Sequence, residues 1–282
     1  MRKVRLLTVV IATASLLATT VVTAPTANAA EGTLADILKR GKLIVGTGSG
    51  NPPFHFLDTT GKLVGMDIDV SKAIAKGLFG DETKIEFVQQ ASDSRIPNIV
   101  SGKVDITCQF MTVTATRAQQ VAFTNPYYRE GVGLLLKKGG KYKNYSDLLK
   151  AGSNARISIL QNVTAADYVK KALPKAKVLQ YAETALIYTA VDANRADAAA
   201  ADQSAIAWLV ANNPTKYVDS GYGWMPQTYS CALKQGDQVW LNFVNQVLNE
   251  SMSGVDFDAY AASFKKWFGV TLPPPKIGFP RQ

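Results

Sequence analysis

Arg117 is the first residue whose surroundings point to binding chemistry. It lies in the segment TVTATRAQQVAFTNPYY, which begins at Thr112. No Asp or Glu occurs between Asp105 and Glu130, so the neighbouring sequence offers this arginine no anionic partner. A guanidinium that leaves water needs such a partner. Arg117 therefore either faces water, as an arginine on a surface helix does, or finds its partner elsewhere in the chain or outside the protein.

Other segments that could support chemistry fail on their spacing. VGTGSGNPPF has three glycines after a predicted strand, but the third falls one residue too early for a dinucleotide-binding motif. Pro52 and Pro53 also prevent a direct entry into the helix that would hold a pyrophosphate. His55 is the single histidine and has no nucleophile motif nearby, so a His-based triad is not predicted. We expect no cofactor.

The two cysteines, Cys108 and Cys231, are far apart in the sequence. In an exported protein an even pair is a disulfide candidate, and two buried free thiols are the alternative. The sequence does not decide between the disulfide and the two free thiols at this point. A metal site is not predicted, because the cysteines and His55 form no cluster with ligand spacing.

The N-terminal segment predicts export. MRKVR carries three positive charges, an apolar run follows from Leu6 to Val22, and Ala27-Asn28-Ala29 provides a small-residue exit. These are the parts of a secretory signal peptide, here residues 1–29. An uncleaved membrane anchor is the alternative, but the small-residue exit has no use in an anchor. We expect a mature chain that starts near Ala30 and resides in the periplasm.

Charge and composition argue against a nucleic-acid partner. Without the three basic residues of the signal peptide, 28 Lys and Arg face 22 Asp and Glu, a net charge of +6. No basic stripe interleaved with aromatic residues appears in the sequence.

Hydrophobic periodicity predicts alternating strands and helices. The first set is strand, helix, strand, helix, strand: KLIVGTG, GMDIDVSKAIAKGLFG, KIEFVQQ, SDSRIPNIVSGK and VDITCQF. A second set runs from ARISILQ to ADAAAA. YSCALK then returns to strand, and the amphipathic segments QVWLNFVNQVLNESM and FDAYAASFKKWFG predict two final helices. Alternation of this kind is typical of doubly wound α/β lobes.

Six segments, in this order, resemble the polar-amino-acid-binding branch of the periplasmic solute-binding proteins, the receptors of ABC importers. They are KLIVGTGSGNPPFHFLDTTGKLVGMDIDVSKAIAK, RIPNIVSGKVDI, TVTATRAQQVAFTNPYY, ISILQNVTAADYV, RADAAAADQSAIAWL and FKKWFG. The resemblance covers roughly Gly32 to Gly269, nearly the whole mature chain.

The resemblance implies a fold of two doubly wound α/β lobes joined by two hinge strands, similar to the type II periplasmic binding proteins. Lobe 1 would comprise residues 30–128 and 227–282, and lobe 2 residues 129–226. The hinge strands are expected near Tyr128 to Gly131 and Trp224 to Thr228. Clefts between lobes are favoured ligand sites, and hinge closure is the expected motion.

The resemblance also implies a ligand site for an amino-acid zwitterion. Arg117 matches the arginine that binds the ligand carboxylate, for which its planar fork is suited, and Thr112 matches the hydroxyl position before it. Asp202 matches the acid that receives the α-ammonium, Thr164 a residue that clasps the carboxylate from the second lobe, and Phe110 a position that lines the cleft. The alternatives are a solvated helix residue for Arg117, a helix cap for Asp202 and strand-end or cap residues for the threonines.

Arg95 bears on the ligand side chain. Together with the two cysteines it resembles the glutamate/aspartate-binding branch, in which an arginine helps to bind the acidic side chain. That branch has basic residues where Gly48 stands and near Thr184, and both are missing here. The resemblance therefore favours a polar or acidic amino acid, such as glutamate, aspartate or their amides. The alternative makes Arg95 a structural surface residue.

The strand order implied by the resemblance bears on the cysteines. Cys108 lies on the last strand before the Arg117 segment, and Cys231 lies on the strand that re-enters the same lobe. Because these strands can be neighbours, we predict a disulfide between them.

The function that follows is amino-acid capture without catalysis. We expect a monomer that delivers its ligand by transient contact to a membrane-embedded ABC permease. The alternative is an enzyme similar to the cyclohexadienyl dehydratases, which share the fold. Such an enzyme needs a positioned acid, and Asp202, the single acid assigned to the cleft, is already occupied by ammonium recognition.

Overall fold

The structure is a computed structural model that describes residues 32–161, 165–182 and 184–278. The predicted signal peptide, residues 1–29, and Thr164 lie outside the described residues. From Gly32 onward the chain forms one contact unit.

Strands and helices alternate along the first part of the chain. Its elements are α1 (Thr33–Arg40), β1 (Leu43–Thr47), β2 (Gly50–Asn51), β3 (His55–Leu57), β4 (Leu63–Val64), α2 (Met66–Phe79), β5 (Ile85–Gln89), α3 (Arg95–Val100), β6 (Ile106–Thr112), α4 (Ala115–Ala118) and β7 (Ala122–Phe123).

The second part begins with a long strand and ends with two helices. Its elements are β8 (Tyr128–Lys137), α5 (Tyr145–Ala151), a 3₁₀ helix (Gly152–Asn154), β9 (Arg156–Leu160), α6 (Ala165–Ala172), β10 (Lys177–Tyr181), α7 (Thr184–Asp192), β11 (Ala198–Asp202), α8 (Gln203–Asn212), β12 (Tyr217–Asp219), β13 (Trp224–Leu233), α9 (Gln238–Ser253) and α10 (Phe257–Phe268).

One mixed sheet runs through both parts of the chain. Its strand order is β10-β9-β11-β8-β13-β6-β1-β5, with β12 paired to β8 and β7 to β13, and β2, β3 and β4 form a small separate sheet. β1 pairs in parallel with β5 and β6, and β9 pairs in parallel with β10 and β11. Parallel neighbours need crossovers, which α2 and α3 supply on one side and α6 and α7 on the other. The predicted fold class, two α/β lobes joined by two strands, is confirmed.

β8 and β13 are the strands that join the lobes. They pair in antiparallel fashion, with Thr228 opposite Arg129 and Gln227 opposite Glu130, and the register shifts between Trp224 and Gln227. β13 also pairs with β6, and β8 with β11, so each strand contacts one lobe through its other edge. From this arrangement we propose that the lobe boundaries lie near 128/129 and 226/227.

Separate apolar cores lie on the two sides of the joining strands. The first is built from α1, β1, α2, α9 and α10, with Ile37, Val45, Ile74 and Trp240 among its fully buried members. In the second part, the apolar run of β8 serves two cores: Leu134 and Leu136 pack on one face of the sheet and Leu135 on the other. Successive strand residues point to opposite faces, so a continuous apolar run is what a strand between two cores requires.

The structure joins Cys108 on β6 and Cys231 on β13 in a disulfide with the Cα atoms 4.4 Å apart. Both residues are fully buried in the first core. The pairing of β6 with β13 brings the two cysteines together.

The described residues lack both a membrane-spanning helix and a metal-binding cluster. No helix in the described ranges is both long and apolar enough to span a bilayer. The same part of the chain holds no group of three or more His, Cys, Asp or Glu arranged to bind a metal ion.

Candidate functional site

A cavity of about 540 Å³ lies between the two parts of the chain, beside the joining strands. Asn51, Ser92 and Phe110 line it from the first part, and Ile159, Tyr188 and Asp202 are among the residues that line it from the second. Most of the lining is apolar. Among the described residues that line the cavity, Asp202 carries the one charged side chain.

Asp202 ends β11 and directly precedes α8. It occupies the N-cap position of α8, as the helix-cap alternative expected, but its side chain makes no capping hydrogen bond. The carboxylate Oδ2 instead accepts a hydrogen bond of 2.8 Å from the hydroxyl of Tyr229. Burial raises the pKa of Asp202, and the Tyr229 bond opposes this shift. The partly desolvated carboxylate is suited to bind a cation.

Arg117 lies in the short helix α4, which is opened by the side chain of Thr114 at a distance of 3.2 Å from the Arg117 backbone N. The guanidinium folds back, and Nη1 donates to the carbonyl oxygen of Thr112 at 2.8 Å. Arg117 is partly buried, so it is not simply a solvated helix residue. This bond holds the guanidinium at the end of β6, and neither Arg117 nor Thr112 is among the described residues that line the cavity.

Tyr229 lies between two of the predicted ligand contacts, Thr112 and Asp202. It is 1% exposed and lies directly opposite Thr112 in the pairing of β13 with β6. Its ring centroid is 5.8 Å from that of Phe110, and its hydroxyl binds Asp202. Three of the predicted residues, Phe110, Thr112 and Asp202, thereby neighbour one buried tyrosine, and Arg117 is bonded to one of them, Thr112. The sequence contains no local signal for this role, because a tyrosine in an apolar strand is ordinarily a core residue.

Phe110 is held by a buried hydrogen-bond network. Its backbone lies in the left-handed region, with φ of 32°, and its N–H donates to Asp67 Oδ2 at 2.9 Å. The ring of His55 stacks on the Phe110 ring at 4.6 Å, and His55 Nδ1 is 2.7 Å from the same carboxylate oxygen. Tyr127 donates its hydroxyl to Asp67 Oδ1 at 2.6 Å. Asp67 thus positions the cavity wall at Phe110.

The His55 network was not predicted from the sequence. Nε2 of His55 lies 3.2 Å from the amide nitrogen of Asn51, a cavity-lining residue. The chain Asp67–His55–Asn51 ends in an amide and not in a nucleophile, so it supports position and not catalysis. The sequence gives no signal for this network, because the burial of Asp67, which makes a partner necessary, is known only from the structure.

Arg95 is buried, with 7% of its surface exposed, so the surface position that the alternative gave it is wrong. Nε donates to the carbonyl of Ser92 at 2.8 Å and Nη1 to the carbonyl of Gln109 at 3.0 Å. Burial, followed by the positive charge of Arg117, lowers the pKa of Arg95 to about 10. Arg95 therefore lies close to Arg117, behind the cavity wall formed by Ser92 and Phe110.

A second acid, Glu130, lies beside the site and was not predicted. It is 3% exposed on β8, and its Oε1 accepts the N–H of Gly131 at 2.8 Å and of Ser204 at 3.3 Å. The sequence assigned Glu130 only to a hinge strand, because nothing in REGVG indicates which strand edge it faces.

The charges around the cavity are separated. Two arginines, Arg95 and Arg117, lie on the side of the first lobe, and two acids, Asp202 and Glu130, lie at β11 and β8. This separation matches a zwitterion, whose carboxylate and ammonium each need an opposite charge when water is removed.

Comparison with known proteins shows the family of the chain. The family model of bacterial extracellular solute-binding proteins, family 3, matches residues 43–270. The ABC transporter glutamine-binding protein GlnH of Bacillus subtilis (strain 168) is 30% identical over 236 residues, which cover 83% of this chain and 84% of the relative. A glutamine-binding protein of Geobacillus stearothermophilus is 36% identical over 197 residues, 67% of this chain and 71% of the relative.

Solved structures agree with the sequence relatives. A structure described as an ancestral cationic amino acid solute binding protein has a TM-score of 0.72 and 33% identity, and covers 84% of this chain and 100% of that chain. An ancestral arginine-binding protein bound to glutamine has a TM-score of 0.65 and 33% identity, covering 82% and 99%. The resemblance stated from the six segments is confirmed: the chain belongs to the bacterial extracellular solute-binding proteins, family 3.

Proposed function

We propose that the protein is an extracytoplasmic solute-binding protein that captures an amino acid in the cavity and delivers it to an ABC transporter. The observation that carries the proposal is the cavity between the lobes, which Asp202 lines and which holds no other charged side chain among the described lining residues. The relatives support it, because their names describe binding of glutamine and of cationic amino acids. The protein would act as a monomer in the periplasm, reach it through a cleaved signal peptide, and contact the permease transiently.

The proposed binding mode assigns one charge to each end of the ligand. Arg117 would donate a forked pair of hydrogen bonds to the ligand carboxylate, with Thr112 next to it. Asp202 would receive the α-ammonium, and Phe110 would line the cavity. Thr164, which lies outside the described residues, would contact the carboxylate from the second lobe.

We further propose that the ligand has a polar side chain, such as glutamine, asparagine, glutamate or aspartate. Arg95 is the group that would favour an acceptor on that side chain. A side chain at position 48 would require the ring of His55 to move, because a Cβ on Gly48 would lie 2.7 Å from Cδ2 of His55. With one arginine in place of several cations, discrimination between acid and amide should be small.

An enzyme similar to the cyclohexadienyl dehydratases is the second candidate, since one solved neighbour is described as a precursor of cyclohexadienyl dehydratase. The site gives it less support. Glu130 is engaged with backbone and hydroxyl donors and does not belong to the described cavity lining, and Asp202 is assigned to the ammonium. Incubation of prephenate with the pure protein, followed by absorbance, tests the enzyme: a loss of prephenate that depends on Asp202 would establish it.

A thermal-shift panel over the twenty amino acids tests the proposal directly. A ligand at 100 times its dissociation constant adds about 2.7 kcal/mol to the free energy of unfolding. We expect a shift with glutamine, glutamate, asparagine or aspartate that disappears in Asp202→Ala. Arg195, which is exposed and is not among the residues that line the cavity, supplies a control variant, Arg195→Ala. No shift with any amino acid would contradict the proposed function.

A further inference from the structure

Glu130 is a buried carboxylate whose partners are all uncharged. Oε1 accepts two backbone N–H groups, from Gly131 at 2.8 Å and Ser204 at 3.3 Å, and Oε2 accepts the hydroxyl of Ser204. Among the described residues, no Lys, Arg or His forms an ion pair with it. Hydrogen bonds from neutral donors stabilise a carboxylate, but less completely than a paired cation would.

The strand register places Glu130 next to Asp202. Asp202 lies opposite Val132 in the antiparallel pairing of β11 with β8. Glu130 is two residues before Val132, so its side chain points to the same face of the sheet as those of Val132 and Asp202. If the register continues by two residues, Ser204 falls opposite Glu130, and the bonds from Ser204 to Glu130 are found at that position. The two carboxylates are therefore diagonal neighbours, linked through the first turn of α8.

The surroundings oppose two full negative charges. Burial, followed by the negative charge of Asp202, raises the pKa of Glu130 to about 7, and the bonds from Ser204 and Gly131 oppose the shift. The other titratable groups that face the pair are tyrosines: Tyr128 on β8, Tyr229 on β13 and Tyr188 on α7. Burial and the nearby acids raise the pKa of all three, so they remain neutral. Arg129, which directly precedes Glu130 on β8, is exposed.

We propose that Glu130 is a second carboxylate of the ammonium site, that it acts through Asp202, and that capture of an amino acid releases a proton from Glu130. The inference rests on the proposed function, in which Asp202 receives the α-ammonium. A cation at Asp202 cancels the negative charge that favours the protonated form of Glu130. The O–H bond of the Glu130 carboxyl then breaks, and its proton passes to the buffer.

The ligand-free protein provides the first test. The folded-state pKa of Glu130 is raised above the unfolded value of about 4.3. The contribution of Glu130 to stability is therefore present below that value and lost as the pH rises through about 7. The melting temperature of the wild type should fall relative to that of Glu130→Gln between pH 5 and pH 8. Glu82→Gln, which changes an exposed glutamate 3.6 Å from Lys72, should follow the wild type. Parallel curves for the wild type and Glu130→Gln would overturn the proposal.

Calorimetry with L-glutamine and with L-arginine provides the second test. Titrations at pH 7 in phosphate and in Tris give the number of protons released, because the two buffers differ in ionisation enthalpy. A group half protonated at that pH can release up to about half a proton. We expect such a release from the wild type and Glu82→Gln and none from Glu130→Gln. The affinity of the wild type should rise from pH 6 to pH 8, by at most about tenfold, because pH 6 lies about one unit below the ligand-free pKa of Glu130.

The variant Ser204→Ala distinguishes a Glu130 that releases a proton from a Glu130 that only supports the first turn of α8. The Ser204 hydroxyl lowers the pKa of Glu130, so its removal should move the midpoint of the affinity profile to higher pH. An unmoved midpoint would overturn the proposal, as would binding without proton release. Failure of all twenty amino acids to bind would overturn the proposed function itself, which is a different and recognisable result.

Discussion

Single residues determine the charge balance of the cavity. Arg117 and Asp202 are each held by a residue of the pairing between β6 and β13. Arg117 donates to the Thr112 carbonyl at 2.8 Å, and Asp202 accepts from the Tyr229 hydroxyl at 2.8 Å. Since Thr112 and Tyr229 are opposite each other, the distance between cation and anion is set by a strand pair and not by a loop. Groups on rigid elements are suited to recognise a ligand of fixed length.

Removal of either charge should weaken binding of the amino acid. Arg117→Ala and Asp202→Ala should each cost about 2–5 kcal/mol of binding free energy, because each leaves an opposite charge of the ligand buried and unpaired. Arg117→Lys should also bind poorly, since an ammonium cannot replace the fork. Isothermal titration calorimetry measures the effect, with Arg195→Ala as the control. Near-native affinity in either alanine variant would mean that the ligand binds elsewhere.

Arg95 makes a separate prediction about selectivity. If its remaining donors reach the ligand side chain, glutamate, aspartate or their amides should bind more tightly than leucine and phenylalanine, with acid over amide by about tenfold, or 1.4 kcal/mol. Arg95→Ala should remove that margin and leave recognition of the zwitterion intact. Competition calorimetry gives the ranking. Because Arg95 also holds the carbonyls of Ser92 and Gln109, the melting temperature of the variant must be measured in parallel. An aromatic or basic amino acid in first place would make Arg95 purely structural.

Strands and helices bring these residues together. β6 carries Cys108, Phe110 and Thr112, and β13 carries Tyr229 and Cys231, so the same pair of strands holds the disulfide and one wall of the site. α2 contributes Asp67, whose carboxylate reaches β3 through His55 and β6 through Phe110. The site therefore depends on the packing of several elements that are distant in sequence.

The disulfide between β6 and β13 should stabilise the folded protein measurably. The cysteines are 123 residues apart, and closing a loop of that order stabilises a protein by about 4–5 kcal/mol in the chain-entropy model. The paired variant Cys108→Ser/Cys231→Ser should unfold at lower denaturant concentration, by an amount in the usual range of about 2–5 kcal/mol. Thiol titration of the unfolded, unreduced exported protein should find no free thiol. Two titratable thiols would contradict the prediction.

The molecule as a whole consists of two lobes joined by β8 and β13, and its cavity lies at the junction. Trp208 on α8 packs against Phe56 and Trp267, with ring centroids 5.4 and 6.4 Å apart, and so links the two sides away from the joining strands. A cavity between lobes allows a ligand to be enclosed by hinge motion. In the proposed binding mode the ligand contacts both sides, so binding and closure would be coupled.

Export is a prediction for the whole chain. Protein recovered from the periplasmic fraction should begin at Ala30 or within about two residues of it, because the apolar run ends in a small-residue cleavage site. Intact-mass spectrometry together with N-terminal sequencing checks this. Protein that retains Met1 and sediments with membranes would show an uncleaved anchor instead.

The sequence by itself determined the fold class and the family. Strand–helix alternation and the six ordered segments suffice for this, because periodicity and local motifs are encoded over short stretches of chain. The segment around Arg117 also showed that a cation lacked a local partner. What periodicity cannot show is which distant residues face each other, and this limited the prediction of the site.

Tertiary structure alone decided the remaining features. It placed Tyr229 between Thr112 and Asp202, buried Arg95 behind Ser92, and brought Glu130 next to Asp202. Each of these contacts joins strands or helices that are far apart in sequence, and its energy depends on desolvation that only packing produces. A buried carboxylate and an exposed one have the same letter in the sequence, and it is the low-dielectric surroundings of the folded chain that make Glu130 differ from Glu82.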